Sequence, residues 1–222
     1  MYKMITEKWV LIAPFCAILA GCSSVQPVAY TGITSSSYLT PNPQDDSGHI
    51  PYRYANQVSW GNYNRIIIDP VDIYRGSDSQ FKDMSEEDKA DLAAYMKDQF
   101  SEKLKPRFAI VSDAAQNTLR LKLTLTGATT NTPVLSWAIH VDPTGVGGLY
   151  DAVQAIRGEE AAQSGSVFYA VEIYDAPTHR LLSAYVTKQY PGAINILASF
   201  GALAASKTGI EKGADMLVQQ LN

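Results

Sequence analysis

The chain has 222 residues, of which 46% are hydrophobic and 18% charged. That is the length of one ordinary domain with ample apolar material for a core, which excludes disorder as its main state. A net charge of −4 argues against a nucleic-acid partner, and two cysteines are too few for a disulfide framework.

The amino end reads as a targeting segment. Lys3 and Lys8 precede an apolar run from Trp9 to Ala20. A membrane-spanning helix needs about 20 apolar residues, so this run is too short to stay as an anchor and has the form of a secretory signal. It ends in Leu19-Ala20-Gly21-Cys22, which resembles the bacterial lipobox. Small residues admit the backbone to a peptidase cleft, and the thiol of Cys22 accepts a diacylglyceryl group before cleavage between Gly21 and Cys22. The expected boundaries are 1–21 signal peptide, 22–50 lipidated Cys and flexible tether, and 51–222 a single α/β domain. A single acyl chain holds a protein marginally, whereas several hold it stably. Ser23 follows Cys22, and by resemblance to the enterobacterial sorting pattern it implies export to the outer membrane, on its periplasmic face. No cofactor is expected beyond the covalent lipid on Cys22. Removal of 1–21 leaves 16 basic and 21 acidic side chains, so electrostatics does not draw the domain to anionic lipid.

Residues 23–44 carry no charge and are rich in Ser, Thr, Pro, Asn and Gln, which is linker chemistry. Aromatics then cluster at Tyr52, Tyr54, Trp60 and Tyr63. The β-branched run Arg65-Ile66-Ile67-Ile68-Asp69 has the length of a buried strand; it stops at Pro70, with Val71 and Ile73 continuing extended. Ser85 caps a helix whose first turn holds Glu86, Glu87 and Asp88, matching the positive end of the helix dipole. Leu92, Tyr95, Met96, Phe100 and Leu104 form its apolar stripe, and Pro106 closes it.

Phe108 to Val111 is the second strand. Leu119, Leu121, Leu123 and Leu125 alternate with Arg120, Lys122, Thr124 and Thr126, a period-two pattern that predicts one buried and one wet face. Val167 to Tyr174 and Leu181 to Lys188 form a hairpin about the turn 175–180. A last helix over Ser206 to Leu221 carries Ile210, Ala214, Leu217, Val218 and Leu221. The predicted fold is a two-layer α/β sandwich with a mixed sheet in the order β-α-β-β, excursion, β-β, α, and both main helices on one face. Strands one and two, joined through a helix, should be parallel with a right-handed crossover. The remaining strands should pair as antiparallel hairpins.

Several of these pieces occur together: the lipobox, Ser37-Tyr38-Leu39, Tyr52-Arg53-Tyr54, the block from Trp60 to Val71, and Asn131-Thr132-Pro133-Val134-Leu135. The set resembles a bacterial lipoprotein family, domain of unknown function 3313, over nearly the whole mature chain. The resemblance implies an envelope location and this fold. It carries over no catalytic or ligand-binding residue.

Local chemistry is sparse. Of three histidines, His49 lies in the tether, His179 in a turn, and His140 beside Asp142. The last pair could orient a base, but a nucleophile or third ligand is missing from the local sequence. Asp69 and Asp72 flank Pro70 and could pair as acid and base, or simply end a strand. Gly145-Val146-Gly147-Gly148 does not sit between a strand and a helix as a phosphate cradle needs. No metal site is expected. The aromatic cluster could stack on glycans, or pack the entering segment onto the sheet. The stretch Ala193 to Ala205 has no charge and would be apolar all round as a helix, so something must cover it. Burial within the domain is one solution. The other is a surface for a protein partner or the lipid interface, with Trp137, Phe200 and Leu203 as its residues.

The sequence therefore points to a lipid-anchored, non-enzymatic envelope protein that works by binding, with the membrane and an envelope protein as partners. An accessory subunit of an envelope transport or lipid-trafficking assembly is the alternative, and a periplasmic hydrolase using His140 and Asp142 the third.

Overall fold

The computed structural model describes residues 26–129, 165–191 and 201–222. The strands are β1 (Thr40–Pro41), β2 (Tyr52–Ala55), β3 (Arg65–Ile68), β4 (Asp72–Ile73), β5 (Ala109–Ile110), β6 (Thr118–Ala128), β7 (Val167–Asp175) and β8 (Leu181–Gln189). Helix α1 spans Glu86–Leu104 and α2 spans Ala204–Leu221. All eight strands form one open mixed sheet in the order β1-β2-β8-β7-β6-β3-β5, with β4 also on β6.

The local signals act as expected at α1. The Ser85 hydroxyl accepts from the Asp88 N–H at 3.0 Å, relieving one of the orphan donors at the helix start. Leu92, Met96, Phe100 and Leu104 are fully buried. They meet Leu119, Leu121, Leu123 and Leu125 of β6, together with Ile210, Ala214 and Leu217 of α2. Both helices thus cover the face presented by the odd-numbered residues of β6. Each of these buried leucines contributes about 1.5–3 kcal/mol. Helix α2 approaches the sheet so closely that a Cβ on Gly213 would overlap the Tyr169 hydroxyl, and one on Gly209 would lie 2.8 Å from the Gln189 carbonyl oxygen.

Strands β3 and β5, joined through α1, are parallel, with Arg65 opposite Ala109. The next step departs from expectation. β5 and β6 do not form a hairpin; β6 lies on the other side of β3 and pairs with it in parallel, Ile66 opposite Leu119. After the break at Pro70 the chain rejoins the same edge of β6 as β4, with Ile73 opposite Leu125. The long apolar β6 needs a partner along its whole length, and a two-residue β5 cannot supply one. At the break, the Lys97 ammonium of α1 donates to the carbonyls of Ile68 and Asp69. The antiparallel pairs β6–β7 and β7–β8 follow the alternation, with Leu123 opposite Val171.

The face expected to be wet is largely covered. Thr124 and Thr126 are buried, and Lys122 is half-buried. Tyr30 and Ile33 pack there against Tyr74, Ala170 and Val186, with Leu39 and Tyr52 beside them. The flexible stretch expected over 22–50 therefore does not extend that far. From Tyr30 the chain is a strap on the second sheet face, and β1 and β2 extend the sheet on β8. Uncharged composition suits a linker, but two apolar anchors among polar residues are enough to dock a segment over a sheet.

Candidate functional site

The strap is held first at its amino end, by a clasp from the loop after β4. Tyr30 donates its hydroxyl proton to Gln80 Oε1, and Gln80 Nε2 donates to the Gln26 carbonyl at 2.9 Å. The Thr31 N–H reaches Asp78 Oδ2 at 3.1 Å. The Gly32 N–H donates to the Tyr74 hydroxyl at 3.0 Å, which in turn donates to Asp78 Oδ1 at 2.6 Å. The Tyr30 and Tyr74 rings meet edge to face, 5.5 Å between centroids. Tyr74, at the end of β4, is placed by the hydrogen bond of its N–H to the Leu125 carbonyl, and Gln80 by its own to Thr126. A Cβ on Gly127 would lie 2.7 Å from the Gln80 carbonyl oxygen, so glycine there is what lets the loop close on β6.

Further along, the Ser35 N–H donates to the Glu172 carboxylate at 2.6 Å. Glu172 sits mid-strand on β7 at 2% exposure, directly opposite Lys122 of β6. A buried carboxylate is costly unless it is hydrogen-bonded, and the strap supplies that partner. Tyr38 then lies 5.3 Å from Tyr54 of β2, leaving an exposed ring at the strap's end.

The electrostatics follow these contacts. The Tyr74 hydroxyl beside Asp78, followed by the Thr31 N–H, holds the Asp78 carboxyl below the usual carboxylate range against a smaller opposing effect of burial. Burial pushes the Tyr30 hydroxyl well up, so it remains a donor at any ordinary pH. Burial also raises Tyr174, with the Glu172 charge adding to it.

Other candidate residues resolve differently. Asp69 does not pair with Asp72; both its oxygens accept from Arg120 Nε, at 3.1 and 2.9 Å. His49 is not in a free tether: its Nδ1 lies 2.8 Å from the Lys188 carbonyl and its ring 4.6 Å from that of Tyr190. His179 occupies a left-handed turn position at φ 56. The aromatic cluster is dispersed. Tyr52 and Tyr54 lie on β2, while Trp60 and Tyr63 pack against the helix-side core, their carbonyls accepting from Arg107. That is the packing alternative, not a stacking platform. Leu203 is half-buried against the same core. Gly21, Cys22, Trp137, His140, Asp142, the 145–148 glycine loop and Phe200 lie outside the described residues. Among the described residues no helix is long and apolar enough to cross a membrane, and no group of three His, Cys, Asp or Glu could hold a metal.

The clasp residues Tyr30, Asp78 and Gln80 were not singled out in the sequence, and neither was Glu172. One charge inside the otherwise apolar run Val167 to Ile173 was the available signal for Glu172. Tyr30 and Ile33, three apart in a polar stretch, were the signal for the strap.

A family model described as a protein of unknown function, DUF3313, matches residues 29–217. No curated protein matches the chain. Among solved structures, a PelC dodecamer from Paraburkholderia phytofirmans is similar at TM-score 0.38 and 10% identity, covering 72% of this chain and 92% of that one. A DUF330 protein from Xanthomonas campestris gives 0.36 and 13%, covering 81% and 88%. A homologue of a neuraminyllactose-binding hemagglutinin from Helicobacter pylori gives 0.33 and 10%, covering 76% and 87%. Likeness at this level carries no functional inference.

Proposed function

The chain belongs to DUF3313, a family of proteins of unknown function, and from its own residues we propose that it is a lipid-anchored bacterial envelope protein that acts by binding. The observation that carries this reading is the strap. Leu19-Ala20-Gly21-Cys22 has the pattern of an acylation site, and eight residues later Tyr30 is built into the domain at 1% exposure. A loose tether would leave the domain free to roam. Here the leash is short, and a folded module is held beside whatever surface takes the acyl chains. Several buried chains make such attachment effectively permanent, at about 0.8 kcal/mol per methylene.

The test is metabolic labelling with radioactive palmitate in cells carrying the full chain or Cys22→Ser. Label should enter the wild type and be lost from the variant, which should accumulate as an unprocessed or soluble form. Equal labelling of the two would sink the proposal.

A further inference from the structure

We infer that one pole of the domain, the end at which β6 terminates and the strap is clasped, is the surface that lies against the bilayer; this rests on the lipid anchor proposed above. Strand β6 runs 11 residues from Thr118 to Ala128, so the two ends of the sheet are about 35 Å apart at the usual rise per residue. The strap enters at the Ala128 end. Gln80, which bridges Gly127, binds both the Gln26 carbonyl and the Tyr30 hydroxyl.

Chain length then decides the orientation. Gln26 is four positions on from Cys22, a reach of at most about 14 Å, and Tyr30 is eight positions on, a reach of at most about 28 Å. Neither length lets Cys22 get past the far end of the sheet, where Asn117 and the 175–180 turn lie. The clasped pole is the one within reach of the acyl chains.

Other described contacts lie at the same end: the Thr129 N–H donates to the Ser166 carbonyl at 2.8 Å, and the Ser206 hydroxyl of α2 donates to that same carbonyl at 3.2 Å. Val28, at the strap entrance, is 39% exposed. Glu86, Glu87 and Asp88 open α1 at this same end, so electrostatics does not draw the pole to anionic lipid; what would hold it there is the short length of chain to the acyl group.

The experiment uses the mature lipidated protein in vesicles of phosphatidylethanolamine and phosphatidylglycerol that contain a headgroup-nitroxide lipid. With Cys22 acylated, an introduced cysteine is the sole thiol. A fluorophore is placed at Ser77→Cys, in the clasp loop, or at Gln116→Cys, at the far end. The Ser77 label should be quenched several-fold more than the Gln116 label. Equal quenching, or stronger quenching at Gln116, overturns the orientation while co-flotation with the vesicles leaves the anchor intact. Failure of the wild type to co-float, or flotation of Cys22→Ser to the same extent, overturns the anchor itself and the orientation with it.

Discussion

Two positions set apart residues that matter by the space they leave from residues that matter by a hydrogen bond. Gly213 sits inside α2, where glycine costs about 1 kcal/mol relative to alanine. Propensity alone would make Gly213→Ala stabilising. The overlap of a Cβ with the Tyr169 hydroxyl opposes it, and overpacking of a tight contact costs about 1–3 kcal/mol. Tyr169 is itself fully buried and cannot swing into solvent, so overpacking wins. Gly213→Ala should lower the melting temperature of the domain, as calorimetry would measure. Glu172 is the opposite case. Its carboxylate is held by the Ser35 N–H, and Glu172→Ala leaves that buried donor without its acceptor, a loss of about 1–3 kcal/mol. Glu172→Gln keeps an acceptor oxygen and should cost clearly less. Urea titration of the two variants distinguishes them, and equal losses would show that the contact to the strap is not what stabilises this position.

At the scale of elements, the strap responds to acid. Asp78 has a folded pKa below its unfolded value, chiefly through the Tyr74 hydroxyl. Its contribution is therefore complete above the unfolded value near 4 and is lost as pH falls through the folded one. Strap release should set in below about pH 4 and be absent between pH 5 and 8. Hydrogen exchange at the N–H groups of Thr31 and Gly32 would report it; equal protection at pH 3 and pH 6 would contradict it. The strap also shows where legibility in the sequence ends. Helix α1 announced itself through Ser85, three acids and a periodic stripe, because caps and amphipathic faces are local. The alternating leucines of β6 announced the helix-side core for the same reason. The parallel pairing of β3 with β6 was not legible, since a turn at 112–117 reads equally as a hairpin or as a hop across β3. Nor was the second buried face. Thr124, Thr126 and Lys122 have the chemistry of a wet surface, and their cover comes from residues nearly a hundred positions earlier. The clasp was hidden for the same reason: Tyr30, Asp78 and Gln80 meet only once the sheet exists.

Taken as a whole, the domain is polar in the geometric sense. Strands β3, β4 and β6 run toward the clasped end. Both helices begin there: α1 follows the clasp loop directly, and α2 starts beside Ser166. Their side-by-side contacts, Tyr95 with Glu211 and Lys103 with Asp215 at 2.7 Å, advance in the same direction along both helices, so the two are parallel. The opposite end gathers the connections at 105–117 and 175–180, with the Arg65–Asp113 pair and the Arg107 contacts. On the anchoring proposed above, this other end would face the space beyond the membrane.

The contact between Ser35 and Glu172 has a consequence for the order of assembly. Its partners are 137 positions apart, and the closure of so long a loop is repaid only after the intervening strands have paired. If Cys22 is acylated as proposed, a chain delivered amino end first would expose that residue long before β7 exists. Modification by lipid would then precede folding, and the strap would dock last, onto a sheet already tethered. The peptidase and the acylating enzymes would meet an extended substrate, and the finished fold would withdraw residues from Tyr30 onward from later processing.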